Sequence, residues 1–368
     1  MNITLQSDFV LPAEWYPQSG IMLTWPHPET DWKPYLHQIT ETYIQLSKAI
    51  TDYEHLIIVT PYVDDTRKLL QKHLDEKNLE RIRFFNIDSN DTWARDHGPI
   101  TLVSQGKRKG YYIRNHMLDF NFNGWGEKFA YQKDNAINLK LYYEGAFNAA
   151  LENHTDFTLE GGAIESDGQG TIFTTTFCMM APHRNQPLTQ EDISSRLQIL
   201  FHAPRIVWLN HGKLIGDDTD GHIDTIVRIA PNDTLLYMGF DDPSDPHYED
   251  FKELEKELKA LKTLDGYPYR LLRLSAPDPI YDDGDRLPAT YANFVILNGA
   301  VIVPTYNQPE KDEAAMKTIG KAFPDYKIIG IDSQTVVRQH GSLHCLTMQI
   351  PKDVLATKDS IEKSDFWV

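Results

Sequence analysis

An α/β fold assembled from five similar units, closed in a ring, is predicted for this 368-residue chain from three observations. Helix-like segments alternate with short β-rich runs. Polar, glycine-containing loops return at nearly constant intervals. No Ser/Gly linker or shift of composition interrupts the chain, so residues 1–368 read as a single domain.

Apolar residues recur with helical spacing in Tyr35 to Ile50, Asp64 to Asp75, Thr189 to Leu200, Glu249 to Lys262 and Lys311 to Phe323. Most of these are followed within a few residues by a run rich in β-branched and aromatic residues: His55 to Val59, Ile82 to Phe85, Arg205 to Leu209, Tyr269 to Arg273 and Tyr326 to Gly330. Further strands are expected at Gly170 to Thr176, Thr225 to Ala230, Thr234 to Phe240 and Phe294 to Val303.

The loops carry the periodicity. They are centred on Asp96, Glu160, His222, Asp283 and Cys345, with separations 160−96=64, 222−160=62, 283−222=61 and 345−283=62. A repeat near 62 residues marks an array of supersecondary units, and closing five of them in a ring would bring the equivalent loops to one centre.

Hydrophobic residues make up 41% of the chain, enough to fill a large core, and Lys plus Arg (36) fall short of Asp plus Glu (53), for a formal net charge of −17. That balance argues against nucleic acid or an anionic membrane as partner and suits a small cation. Met1 to Asp8 lacks the basic and apolar regions of a signal peptide, and no stretch approaches eighteen apolar residues, so a cytoplasmic protein is expected. The two cysteines, Cys178 and Cys345, exclude a disulfide scaffold or a structural zinc site. Cys178, in a Thr- and Phe-rich strand-like run, is assigned to the core; Cys345 lies in a marker loop.

A ring of this kind gathers one thiol, an imidazole and several carboxylates. Paired carboxylates grip a planar guanidinium, a cysteine above its carbon can attack it, and an imidazole can protonate the departing amine and then deprotonate water.

At these loops the chain resembles the agmatine deiminases and bacterial peptidylarginine-deiminase-like enzymes of the guanidino-group-modifying superfamily. The resemblance rests on Pro12-Ala13-Glu14-Trp15, Thr24-Trp25-Pro26, Asp91-Thr92-Trp93-Ala94-Arg95-Asp96 with Gly98-Pro99, and Glu160-Gly161-Gly162. It continues through Thr174-Thr175-Thr176-Phe177-Cys178-Met179 with Asn185, Thr219-Asp220-Gly221-His222-Ile223-Asp224 and His344-Cys345. It implies a five-bladed, pseudo-symmetric α/β propeller of ββαβ modules, the pentein fold, and hydrolysis of agmatine to N-carbamoylputrescine and ammonia, a step toward putrescine in arginine and polyamine metabolism. It further implies Cys345 as the nucleophile that forms a covalent thiouronium, His222 as general acid and base, and Asp96 and Asp224 as guanidinium carboxylates. Glu160 would pair with the histidine and substrate, Trp93 would wall the pocket, and Asp220 would add to substrate binding. No metal and no organic cofactor are expected; the partners are a small cationic guanidino substrate and, as an open alternative, a second copy of the chain in a homodimer.

One departure stands beside the nucleophile: Gln339-His340-Gly341-Ser342 replaces a glycine run found in many agmatine deiminases. Arg95 is expected to orient its loop by ion pairing. Deimination of free or peptide-bound arginine on the same scaffold is an alternative, with Arg228, Arg286 and Arg338 as candidates for a substrate carboxylate. A metal-dependent hydrolase built on His222, Asp224 and Asp220 lacks a helical HExxH motif and a second well-spaced histidine. A catalytically dead binding propeller is opposed by the retained Cys345, His222 and Asp96. The acids at Asp217, Asp218, Asp282, Asp283 and Asp285 are expected to favour a substrate with a second positive charge.

Overall fold

The computed structural model describes residues 8–105 and 115–356; the signal-peptide reading of Met1 to Asp8 therefore lies almost wholly outside the described residues. Within them the chain forms a mixed α/β fold in which one topology recurs: an antiparallel strand pair, a crossover helix, and a third strand parallel to the second. Gln18–Thr24 pairs antiparallel with Thr347–Pro351 and, across helix Leu36–Thr51, parallel with His55–Val59, to which Ile82–Phe85 adds. The last strand thus closes onto one of the first. The next unit joins Ile100–Ser104, His116–Asn121, helix Ile137–Tyr143 and Ala150–Thr158. The same order follows in Ile164–Ser166, Thr171–Thr175, helix Gln190–Leu200 and Arg205–Leu209. It recurs in Val227–Ala230, Thr234–Gly239, helix Tyr248–Ala260 and Arg270–Ser275, and again in Val295–Leu297, Ala300–Thr305, helix Pro309–Ala322 and Lys327–Asp332.

The physical reasons are local. Strands such as His55–Val59 and Ala300–Thr305 are nearly continuous apolar runs because sheet neighbours and helices cover both faces, as parallel pairing requires. Helix Gln190–Leu200 starts where Thr189 and Asp192 form a reciprocal capping box. The helix expected over Asp64 to Asp75 is shorter, Val63–Leu70, and Asp75 instead caps the turn Glu76–Leu79. No helix among the described residues is long and apolar enough to cross a membrane.

Each unit delivers a segment to the site immediately before its first strand: residues 91–97, 159–163, 219–225, 290–294 and 340–345. This corrects the fourth marker. Asp283 sits at the exposed tip of the separate hairpin Tyr281–Asp282 and Asp285–Arg286, and Asn293 occupies the equivalent place.

Candidate active site

Cys345 is fixed by contacts from three sides. Its carbonyl accepts the Arg95 N–H (3.1 Å), which ties the nucleophile loop to the Trp93–Asp96 loop. The Asn293 side-chain oxygen accepts the N–H of His344 (2.9 Å) and of Cys345 (3.2 Å), and lies 3.4 Å from the thiol sulfur. Asp224 Oδ2 lies 3.7 Å from the same sulfur. Burial, with the Asp224 and Asp96 carboxylates nearby, pushes the thiol well above its ordinary value. It is therefore protonated in the free protein and would ionise when a cation settles between those carboxylates.

His222 follows a tight turn wound around Asp217, whose carboxylate accepts the N–H groups of Thr219 and Gly221. Thr219 Oγ1 accepts the His222 N–H, and Thr225 Oγ1 donates to its carbonyl, so the ring has a set direction. Its Nδ1 lies 3.6 Å from Asp96 Oδ1 and its Nε2 3.9 Å from Glu160 Oε2, too far for direct hydrogen bonds. Burial opposes the charged ring, but Asp96, the Cys178 sulfur and Glu160 outweigh it and raise His222 well above its usual value, which favours the imidazolium at neutral pH.

Asp96 is fully buried; its Oδ1 accepts the Gly162 N–H (3.1 Å) and its Oδ2 the indole N–H of Trp125 (3.0 Å). Burial, with Asp224 and Glu160 nearby, pushes it up to about 6, against the pull of His222. Glu160 accepts from Arg184 Nε through both oxygens (3.0 and 3.2 Å); although burial opposes ionisation, Arg184 and His222 hold it at about 2.

A cleft enclosing about 730 Å³ opens onto Cys345 and is lined by Asp31, Asp91, Trp93, Asp96, Trp125, Phe129, Asp218, Thr219, Arg338, Gln339, His340 and Gly341. Trp93 is thus a wall of the cleft, and Trp125, edge-on to it (6.4 Å, 78°), is a second aromatic wall that the sequence did not reveal. The departure before the nucleophile lies at this cleft. His340 adopts φ +63° with Nδ1 on the Gly216 carbonyl (2.5 Å), and a Cβ at Gly341 would stand 2.2 Å from the Trp93 ring.

Several expectations need correction. Asp220 does not line the cleft: its carboxylate faces Arg184 Nη1 (2.7 Å) and Lys128 Nζ (2.9 Å), where it backs the Glu160–Arg184 pair. The proposed metal triad of His222, Asp224 and Asp220 is therefore not assembled, and the two clusters of suitable ligands among the described residues, Glu160–Cys178–His222 and Glu14–Glu165–His344, each have an arginine bonded to a carboxylate. Cys178 is buried in apolar packing, yet its sulfur also lies beside His222 and Glu160. Arg95 does form the ion pair expected of it, with Glu14 (3.1 Å). Of the acids expected at the site, Asp218 lines the cleft, Asp217 holds the turn, Asp282 is occupied by Arg338, and Asp283 and Asp285 are exposed on the hairpin.

The asymmetry of protonation gives a testable pH profile. Asp96 must be ionised to hold a cation, so kcat/KM is expected to fall below about pH 6, and to fall again at high pH as His222 loses its proton. Trp125→Phe removes a hydrogen bond that favours the Asp96 carboxylate and should move the acid limb upward; a pH–rate profile unmoved in this variant would show that Asp96 does not govern that limb.

A buried thiol against Asp224, with Asp96, His222 and Glu160 grouped nearby and aromatic walls on the cleft, is the setting of a hydrolase of guanidino C–N bonds. More specifically, the chain belongs to the Porphyromonas-type peptidyl-arginine deiminase family, whose sequence model matches residues 10–351. A solved protein of Porphyromonas gingivalis, provisionally assigned as an arginine deiminase, is similar with a TM-score of 0.87 and 44% identity, over 95% of this chain and 100% of that one. The agmatine deiminase of C. jejuni, solved as a cysteine-to-serine variant with substrate bound, is similar with a TM-score of 0.85 and 37% identity, over 95% and 97%. A Vibrio parahaemolyticus relative provisionally named an agmatine deiminase is 31% identical over 366 residues, covering 94% of this chain and 98% of its own.

Proposed function

We propose that the protein is a single-domain, cytoplasmic agmatine deiminase whose five ββαβ units form a closed five-bladed propeller around the Cys345 centre. One observation carries the assignment of roles: Asp224, whose Oδ2 lies 3.7 Å from the thiol sulfur, keeps a buried second carboxylate oxygen, Oδ1, with no hydrogen-bond partner among the described residues. Buried groups of this kind are retained where a ligand completes them. A guanidinium placed over Cys345 would donate to Asp224 Oδ1 and Asp96 while its face meets Trp93.

As the cation settles between the carboxylates the thiol releases its proton to solvent, and the thiolate attacks the guanidinium carbon. The C–N bond breaks as His222 donates its proton to the departing nitrogen, leaving a positively charged amidino-thioether on Cys345. Water, deprotonated by the now neutral His222, adds to the same carbon; cleavage of the C–S bond, with the proton of the added hydroxyl passing through solvent to the departing sulfur, releases the neutral ureido product and restores the thiol. Glu160, locked by Arg184, holds the charge of His222 through the cycle.

Agmatine is preferred because Asp31, Asp91 and Asp218 line the cleft; burial raises Asp91 to about 7 and Asp218 above its ordinary value, and a free ammonium beside them would favour their charged forms. Arginine deimination is the second reading, favoured by Arg338 at the same cleft. Its Nε and Nη2, however, are taken by Asp282 (2.8 and 3.1 Å), and the group lies over the Tyr35 ring. Arg228 and Arg286 are occupied elsewhere, by Glu14 and Glu165 and by Asp245. Two unit charges about 6 Å apart at an effective dielectric near 20 interact by about 3 kcal/mol. Agmatine should therefore exceed free arginine in kcat/KM by at least about tenfold, with the advantage shrinking as salt rises. The assay is ammonia and ureido-product release from agmatine, arginine and a peptidylarginine, with and without chelator. Equal turnover of arginine refutes the agmatine assignment, and chelator-sensitive activity refutes the thiol mechanism.

A further inference from the structure

The Pro12-Ala13-Glu14-Trp15 segment and His344 take no part in the mechanism above, yet they meet directly behind the nucleophile. His344 is buried, with Nδ1 2.7 Å from Asp224 Oδ2 and Nε2 2.7 Å from Glu14 Oε1. Glu14 also accepts from Arg95 (3.1 Å) and from Arg228, and Arg228 donates to Glu165 (2.5 Å) and to the carbonyls of Ala292 and Phe294. Arg228 Nη2 approaches His344 Nε2 at 3.1 Å.

The ring is held from both ends: each nitrogen lies 2.7 Å from a different carboxylate, within a buried cluster of three carboxylates, Asp224, Glu14 and Glu165, and two guanidiniums, Arg95 and Arg228. Asp224 Oδ2 is engaged in this way and also lies beside the thiol, while its buried Oδ1 has no hydrogen-bond partner among the described residues.

We propose that His344 is a positioning residue: bridging Asp224 and Glu14 through its two ring nitrogens, it fixes the Asp224 carboxylate beside Cys345 and, with Glu14, Arg95 and Arg228 behind it, sets the readiness of the thiol to ionise. This rests on the reading of Cys345 as the nucleophile. The groups facing Cys345 are Asp224, Asp96 and, on the far side, Tyr306; those facing Asp224 are His344, His222 and Arg228. Removing the His344 ring takes a hydrogen-bond partner from Asp224 Oδ2 and leaves that carboxylate less compensated, which opposes the thiolate. Removing the Glu14 charge leaves Arg95 and Arg228 less compensated, which favours it.

The test is the pH dependence of iodoacetamide alkylation at Cys345, read by mass spectrometry on the peptide that contains it, without substrate. His344→Gln should move the alkylation midpoint up and Glu14→Gln should move it down, each by about one pH unit, and the double variant should return toward wild type. If His344→Gln does not fold, Glu14→Gln alone must still move the midpoint down. Shifts in the same direction, an unmoved midpoint, or no pH-dependent alkylation at Cys345 overturns the proposal. Because no substrate is used, failure of the wild type to release ammonia from agmatine, arginine or peptidylarginine would count against the deiminase reading alone.

Discussion

Cys345→Ser is expected to lower kcat/KM on agmatine by at least about a thousandfold while the protein remains folded. The exchange is nearly isosteric, and the backbone N–H groups of His344 and Cys345 keep their acceptor on Asn293, so the loop has no reason to move. What is lost is the nucleophile: a hydroxyl in this buried, acid-rich setting does not ionise near neutral pH, even beside a bound cation. Replacing His222 by Ala should leave the covalent stage stranded, because no proton acceptor then serves the incoming water, and mass spectrometry should find the adduct on the Cys345 peptide. Cys178→Ser is the contrasting variant. That sulfur stands behind His222 rather than in the cleft, so its loss should cost no more than about tenfold and it should carry no adduct. An active Cys345→Ser protein, or an adduct on Cys178, sinks the assignment.

The α/β class was legible because helices such as Leu36–Thr51 and Pro309–Ala322 show clear periodicity and are followed by dense apolar strands. The unit containing His116–Asn121 and Ala150–Thr158 was missed because its strands read as His-Met-Leu-Asp-Phe-Asn and Ala-Leu-Glu-Asn-His-Thr-Asp-Phe-Thr, with little apolar contrast. Thr347–Pro351 was missed as well, since its partner Gln18–Thr24, itself unread, lies more than 320 residues away in sequence.

At the site, Asp96, Glu160, His222 and Cys345 were found because reactive side chains stand in short polar loops before strands. Asn293 was not, since it lies in the apolar run Tyr291-Ala292-Asn293-Phe294 and an amide gives no charge signal. Its spacing also breaks the apparent repeat: 293−222=71 and 345−293=52, because the Tyr281–Arg286 hairpin lengthens one connection. The regular interval that had selected Asp283 was accidental there, although it located the other four loops. Trp125 and Arg184 were hidden for a different reason. Trp125 is aimed at Asp96 by a left-handed backbone (φ +57°), and Arg184 reaches Glu160 from a connecting loop, neither of which any sequence period encodes.

Gly162→Ala should be the most damaging substitution that touches no reactive group. A Cβ at this position would lie 2.6 Å from His222 Nδ1, 2.9 Å from Asp96 Oδ1 and 3.1 Å from Asp224 Oδ2. These are parts of the acid–base group and both guanidinium carboxylates, and each side chain is at least 97% buried, so none can retreat into solvent. One methyl group therefore has to displace all three, or push the Gly162 N–H away from Asp96. Overpacking of this kind costs about 1–3 kcal/mol in stability, a fall of several degrees in Tm that leaves the protein folded at assay temperature. The catalytic loss should be larger in proportion, because attack, amine protonation and guanidinium alignment depend on sub-ångström placement of the same atoms: kcat/KM should fall by about a hundredfold or more. Thermal melting and steady-state kinetics on one preparation separate the two effects. Near-wild-type kcat/KM in a folded Gly162→Ala protein would mean that His222, Asp96 and Asp224 are not the tightly packed reacting set this geometry describes.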